Sequence, residues 1–141
     1  MRGYGSPMPI TKSAMQLVDE ATARIRTRTV EEARALLDDP KVTLVDLRDP
    51  RELDREGVVP GAFSATRGML EFWVDPASPY YKPIFGEEDR EFVLFCGGGW
   101  RSALATATLQ DMGMTNVSHI EGGFAAWKKA GAPVEQQAPK T

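Results

Sequence analysis

The stretch EFVLFCGGGWRS, residues 91–102, sets the only cysteine of the chain, Cys96, between an apolar run and three consecutive glycines, with Arg101 closing a Cys-x4-Arg pattern. A thiolate is a strong nucleophile, and a helix N-terminus or a neighbouring guanidinium favours that charged form. Gly97, Gly98 and Gly99 carry no Cβ, so their N–H groups are free to converge on an anion, and Arg101 adds a full positive charge. Trp100 is placed to wall such a site, and Ser102 opens the Ala-rich segment that follows. These types at this spacing describe covalent chemistry on sulfur, with nucleophile and anion cradle in one loop. The plainer alternative is that a lone cysteine ending an apolar strand is an inert core residue and the glycines a tight turn. The fold decides between the two.

Other chemistries fit less well. A dinucleotide fingerprint needs a third glycine where Ser102 stands, and the phosphate-loop lysine is missing. His119, the sole histidine, is far along the chain from Cys96 in a strand-like segment and reads as structural. A single cysteine cannot form an internal disulfide, so the thiol is free, which suits a reducing compartment. Nothing in the pattern calls for a metal or a cofactor. A net charge of −3 gives no basic excess to draw the chain to nucleic acid or anionic lipid. No apolar stretch approaches the roughly 18 residues of a membrane span, and MRGYGSPMPI lacks the apolar core of a secretory signal. The expectation is a cytoplasmic protein that binds neither nucleic acid nor membrane.

The elements that must position this loop alternate between strand-like and helical segments, which predicts a parallel α/β sheet. SAMQLVDEATARI, residues 13–25, places Ala14, Leu17, Val18, Ala21 and Ile25 at helical spacing, with Ser13 and Gln16 as a capping box, and a helix near residues 13–26 should pack its Leu17, Val18 and Ile25 face on the domain or on a second copy. TVEEARALLDDP repeats the pattern with Thr29 as cap, Glu32 at N3, Val30, Ala33, Leu36 and Leu37 on one face, and Pro40 as the stop. VTLV, residues 42–45, reads as a strand, followed by a short helix with Asp49 as cap and Pro50 at its first position. Between Val58 and Gly86, prolines and glycines interrupt every period; TRGMLEFW allows a helical turn or two and the rest reads as a long connection. EFVLF is apolar without alternation, as a strand covered on both faces would be, and it delivers Cys96 to its carboxyl end. Parallel α/β sheets bind ligands at that end. A helix over 102–112 closed by Gly113, a strand in NVSHI, a helix in GGFAAWKKAG and a frayed tail EQQAPKT complete the chain.

Taken together the motifs resemble the rhodanese family of single-domain sulfurtransferases, from about Arg28 to Pro133. VDLRDPRE is similar to the family's strand-end Asp-x-Arg and following acid, here Asp46, Arg48 and Glu52. GVVPGA resembles its Gly-His-Ile-Pro-Gly-Ala with Val58 in place of the histidine. CGGGWRS fits its Cys-x-x-Gly-x-Arg loop, and EGGFAAW with GAPV resembles its closing Gly-Gly-x-x-x-Trp and Gly-x-Pro. The resemblance implies a three-layer α/β/α fold with a five-stranded parallel sheet over 28–134, an extension with one amphipathic helix over 1–27 and a flexible tail over 135–141. It further implies sulfur transfer from a small-molecule or protein donor such as thiosulfate to a thiol or cyanide, through a persulfide on Cys96. Cys96 and Arg101 are then the catalytic candidates, Gly97, Gly98, Gly99, Trp100, Arg101 and Ser102 the substrate-binding ones, and Asp46 and Arg48 an ion pair supporting the site, with Glu52 a helix cap. Related phosphatases of the same fold class carry a longer Cys-x5-Arg loop, which ranks phosphatase or arsenate reductase chemistry below sulfur transfer. A non-catalytic binding or redox-sensing module is the alternative of another class. A homodimer is compatible with all of these.

Overall fold

The structure, a computed structural model, describes residues 9–138. Residues 1–8, most of the stretch MRGYGSPMPI, and residues 139–141 of the expected tail lie outside it. The first three helices start where the sequence supplies caps. Ser13 Oγ accepts the Gln16 N–H and Gln16 Oε1 accepts the Ser13 N–H, which opens α1 (Ala14–Arg24). Thr29 and Glu32 do the same for α2 (Val30–Ala35), and Asp49 with Glu52 for α3 (Pro50–Glu56). The stop expected at Pro40 comes earlier, at Ala35, where the chain tightens and the Leu36 N–H bonds back to Ala33 O. 

Five parallel strands run in the order β1-β5-β4-β2-β3, where β1 is Thr27–Arg28, β2 Val42–Asp46, β3 Phe63–Ser64, β4 Glu91–Phe95 and β5 Val117–Ile120. The central pair aligns Val42 with Glu91 through to Asp46 with Phe95, so both strands end together and their exits open on the same edge. Helices cover both faces. Side chains alternate across a strand, and Phe92, Leu94 and Cys96 pack with Ala105 and Leu109 of α5 (Trp100–Asp111) and Leu70 of α4 (Leu70–Val74). Val93 and Phe95 point the other way, onto Ala33 of α2 and Phe124 and Trp127 of α6 (Gly123–Lys129). This is the three-layer arrangement expected.

The segment hard to read in sequence is ordered by two 3₁₀ turns, Arg67–Met69 and Pro83–Gly86, flanking α4, and it inserts Leu70 and Phe85 into the core. The amino-terminal helix does dock, through Val18 and Ala21 against Ala103 and Ala107 of α5, with Ile25 beside them. Leu17, expected on that face, is exposed instead, because α5 offers a narrow alanine seam that two short side chains fill. At the other end Glu135 forms an isolated antiparallel bridge with Val58, exchanging N–H···O bonds of 2.8 and 2.9 Å, so pairing reaches the first residue of the segment expected to fray. No helix among the described residues is long and apolar enough to cross a membrane.

Candidate active site

Strand β4 carries Cys96 out of the sheet on the face that α5 covers, and the residue is 1% exposed. Gly99, at φ +105°, turns the chain in a left-handed conformation that a side chain rarely adopts. Helix α5 therefore begins at Trp100, two residues before the position expected from sequence, and Trp100, Arg101 and Ser102 form its first turn rather than a loop. The result is a tight ring around sulfur. The Gly99 N–H donates to Cys96 Sγ at 3.1 Å and the Ser102 N–H at 3.4 Å, while Ser102 Oγ lies 3.6 Å from the same atom. Both amides belong to the amino-terminal end of α5, whose unpaired N–H groups favour negative charge.

The carbonyls of this loop are held from outside. The N–H groups of Phe124 and Ala125, in the first turn of α6, donate to Cys96 O at 2.7 Å and Gly97 O at 3.0 Å. Gly123, at φ +60°, makes that approach possible, since a Cβ there would collide with both carbonyl oxygens. The second glycine of the closing motif is thus a clearance for the cysteine loop.

A cavity of about 380 Å³ opens over the sulfur, lined by Cys96, Gly98, Trp100 and Arg101. Trp100 is 64% exposed and stands at its rim rather than in the core. Arg101 lies along it, but both of its terminal nitrogens are engaged by Glu52: Nη1 donates to Oε2 and Nη2 to Oε1, each at 2.9 Å. The Arg101 side chain keeps 41% of its surface exposed and lines the cavity even with Glu52 bound. Arg101 holds the Glu52 carboxyl well below the ordinary range, at about 2, helped by the Asp49 N–H that caps it, and the same bond raises Arg101 above its usual value. Sequence reading found Glu52 as a cap. That it also pairs with Arg101 was missed, because Glu52 and Arg101 belong to different helices and only the fold brings them together.

Asp46 and Arg48 sit beneath this surface. Arg48 is fully buried, donates from Nε to Asp46 Oδ1 at 3.0 Å and from Nη2 to Asp46 Oδ2 at 2.8 Å, and reaches Gly57 O at 2.9 Å. Its guanidinium carbon stands 3.8 Å from the centre of the Phe124 ring. The pair does not line the cavity among the described residues; it braces α6, which in turn holds the loop. His119 is 4% exposed and its Nδ1 lies 2.9 Å from Ser102 Oγ, so the fold brings the sole histidine to the back of the cysteine. The signal was present in the strand period, since His119 shares parity with Val117, which packs on α5. Among the described residues no cluster of three or more His, Cys, Asp or Glu side chains is arranged to hold a metal ion.

Comparison with known proteins agrees with this geometry. Residues 29–130 match the model of the rhodanese-like domain. A protein of Allochromatium vinosum named sulfurtransferase is 29% identical over 102 residues, which span 72% of this chain and 86% of the relative. A tRNA uridine(34) hydroxylase of Erwinia tasmaniensis is 31% identical over 112 residues, which cover 73% of this chain but 29% of that larger protein. Among solved structures, a Rhodopseudomonas palustris protein described as of unknown function and a possible tyrosine phosphatase superposes with a TM-score of 0.87 at 56% identity, covering 93% of this chain and 100% of that one. The chain belongs to the rhodanese-like domain family, whose relatives include named sulfurtransferases.

Proposed function

We propose that the protein is a sulfurtransferase that carries sulfane sulfur as a persulfide on Cys96. The observation that supports it most is the pair of backbone N–H groups, from Gly99 and Ser102, aimed at Cys96 Sγ on the floor of an open cavity. With thiosulfate as donor, the thiolate attacks the outer sulfur; an S–S bond forms on Cys96, the donor's own S–S bond breaks, and sulfite leaves with the electron pair. Cyanide or a thiolate acceptor then attacks the outer sulfur of the persulfide and leaves with it, and the Cys96 thiolate returns with the electron pair of the broken bond. Charge is conserved in both steps and no proton need move. The fixed amides stabilise the sulfur anion in place, and Arg101 offsets the repulsion between two anions. A reducing compartment suits the cycle, since Cys96 must be free between turnovers.

The description of the R. palustris protein raises phosphatase chemistry as the rival. Hydrolysis of a phosphate ester needs a proton for the departing oxygen, supplied by a carboxylic acid or its equivalent. No carboxyl group lines the cavity among the described residues. Glu52, the acid nearest Arg101, is held at about 2 and is ionised near neutral pH. Sulfite needs no such proton. Thiocyanate formation from thiosulfate and cyanide, measured beside hydrolysis of O-phosphotyrosine, whose phenolic oxygen does need a proton on leaving, tests the choice. Turnover in the first assay that is lost in Cys96→Ser supports sulfur transfer; turnover only in the second refutes it.

A further inference from the structure

Ser102 Oγ has three polar neighbours: His119 Nδ1 at 2.9 Å, Gly99 O at 3.3 Å and Cys96 Sγ at 3.6 Å. It has one proton to give, so its direction depends on what His119 does. His119 stands in register between Thr27 of β1 and Leu94 of β4, and burial lowers its tendency to take a second proton, which favours the neutral ring. A neutral imidazole carries its single proton on one nitrogen. Nε2 is buried with no hydrogen-bond partner among the described residues. A proton there would be an orphaned buried N–H, which is rarer in folded proteins than an unpaired acceptor. Placed on Nδ1, the proton donates to Ser102 Oγ and leaves only a lone pair unpaired at Nε2.

That tautomer removes the imidazole as a competitor for the hydroxyl proton. Only Gly99 O and Cys96 Sγ remain, and a charged sulfur is the stronger acceptor of the two because the bond to it is charge-assisted. We propose that His119 is a positioning residue for Cys96: its Nδ1–H donates to Ser102 Oγ and so aims the Ser102 hydroxyl at the sulfur that carries charge before a sulfur atom is accepted and again after it leaves. The assignment rests on Cys96 being the nucleophile. It involves a residue outside the cysteine loop, on a different strand, that does not itself touch substrate.

Long-range ¹H–¹⁵N correlation of the His119 ring in the intact protein reads the tautomer directly. An Nδ1–H imidazole whose resonances move when Cys96 is alkylated by iodoacetamide is the expected result; an Nε2–H imidazole, or a ring indifferent to Cys96, overturns the assignment. Two variants supply the second measurement. His119→Asn places an amide donor near the position of Nδ1–H, whereas His119→Leu removes the donor. The Leu variant should slow both alkylation of Cys96 and its loading by thiosulfate, by roughly three- to tenfold, the range of one hydrogen bond, and the Asn variant should recover most of the loss. Equal rates in the two variants count against the proposal, and the tautomer of the unaltered protein decides it should His119→Leu fail to fold. Tautomer and alkylation rate are read without a sulfur donor. Absence of sulfur loading in the unaltered protein therefore counts against the persulfide reading alone, and an Nε2–H ring against the His119 assignment alone.

Discussion

Two arginine–carboxylate pairs stand one beneath the other at the carboxyl edge of the sheet, and they differ in exposure. Arg48 and Asp46 keep 0% and 3% of their side-chain surface, whereas Arg101 and Glu52 keep 41% and 21%. The inner pair is bound by a forked hydrogen bond, a backbone carbonyl and an aromatic face, so every rearrangement would strand a charge out of water. The outer pair is forked as well, but water reaches it, and its guanidinium lines the cavity. The same two functional groups act as a brace in one place and as an adjustable wall in the other. Burial sets the difference.

The comparison is broken most sharply from the inside. Arg48→Ala leaves Asp46 buried without its partner and should cost about 3–5 kcal/mol, seen as a lower midpoint in urea unfolding. A loss under about 1 kcal/mol would mean that the inner pair braces nothing. The outer arginine should respond differently. Arg101→Ala should cost less stability than Arg48→Ala, about 1–2 kcal/mol because the pair is partly exposed, while slowing sulfur loading from thiosulfate roughly ten- to a thousandfold. Arg101→Lys should recover only part of the rate, because the charge returns without the fork. Unchanged kinetics in Arg101→Ala would reduce it to a latch for Glu52.

The smallest effect is read from pH. Glu52 is held at about 2 against an ordinary 4.5, so the unfolded chain takes up its proton first as acid is added. The stability this supplies is complete above about 4.5 and fades as pH falls from there towards 2. Glu52→Gln retains an oxygen to accept the Asp49 N–H but loses the charge. The gap in unfolding free energy between the two proteins should therefore be constant at neutral pH and close across that acid window. A gap that persists at pH 2 would show that the charge on Glu52 does not matter.

Much of this arrangement was legible in sequence because it is local. The capping boxes at Ser13, Thr29 and Asp49 are pairs three residues apart, and the buried strands VTLV and EFVLF announce themselves as short, mostly apolar runs without alternation. The cysteine loop was legible for the same reason, since nucleophile, glycines and arginine are consecutive. What was hidden depends on distance along the chain. The edge strands Thr27–Arg28 and Phe63–Ser64 are two residues long and carry no period of their own; pairing with β5 and β2 makes them strands. Leu17 follows helical spacing as well as Val18 does, yet only the alanine seam of α5 determines which is buried. The Glu52–Arg101 and Ser102–His119 contacts join segments 49 and 17 residues apart, so spacing rules that work within one helix cannot register them.

The central claim is that Cys96 takes up a sulfur atom and holds it. Intact-mass spectrometry of the reduced protein after brief exposure to thiosulfate reads this without an acceptor or a coupled assay. The account predicts a gain of one sulfur atom, located on Cys96 by peptide mapping, removed by cyanide and absent from Cys96→Ser. An unchanged mass in protein whose Cys96 still reacts with iodoacetamide would contradict sulfur transfer from thiosulfate, and the same result with polysulfide and persulfide donors would contradict the persulfide mechanism itself.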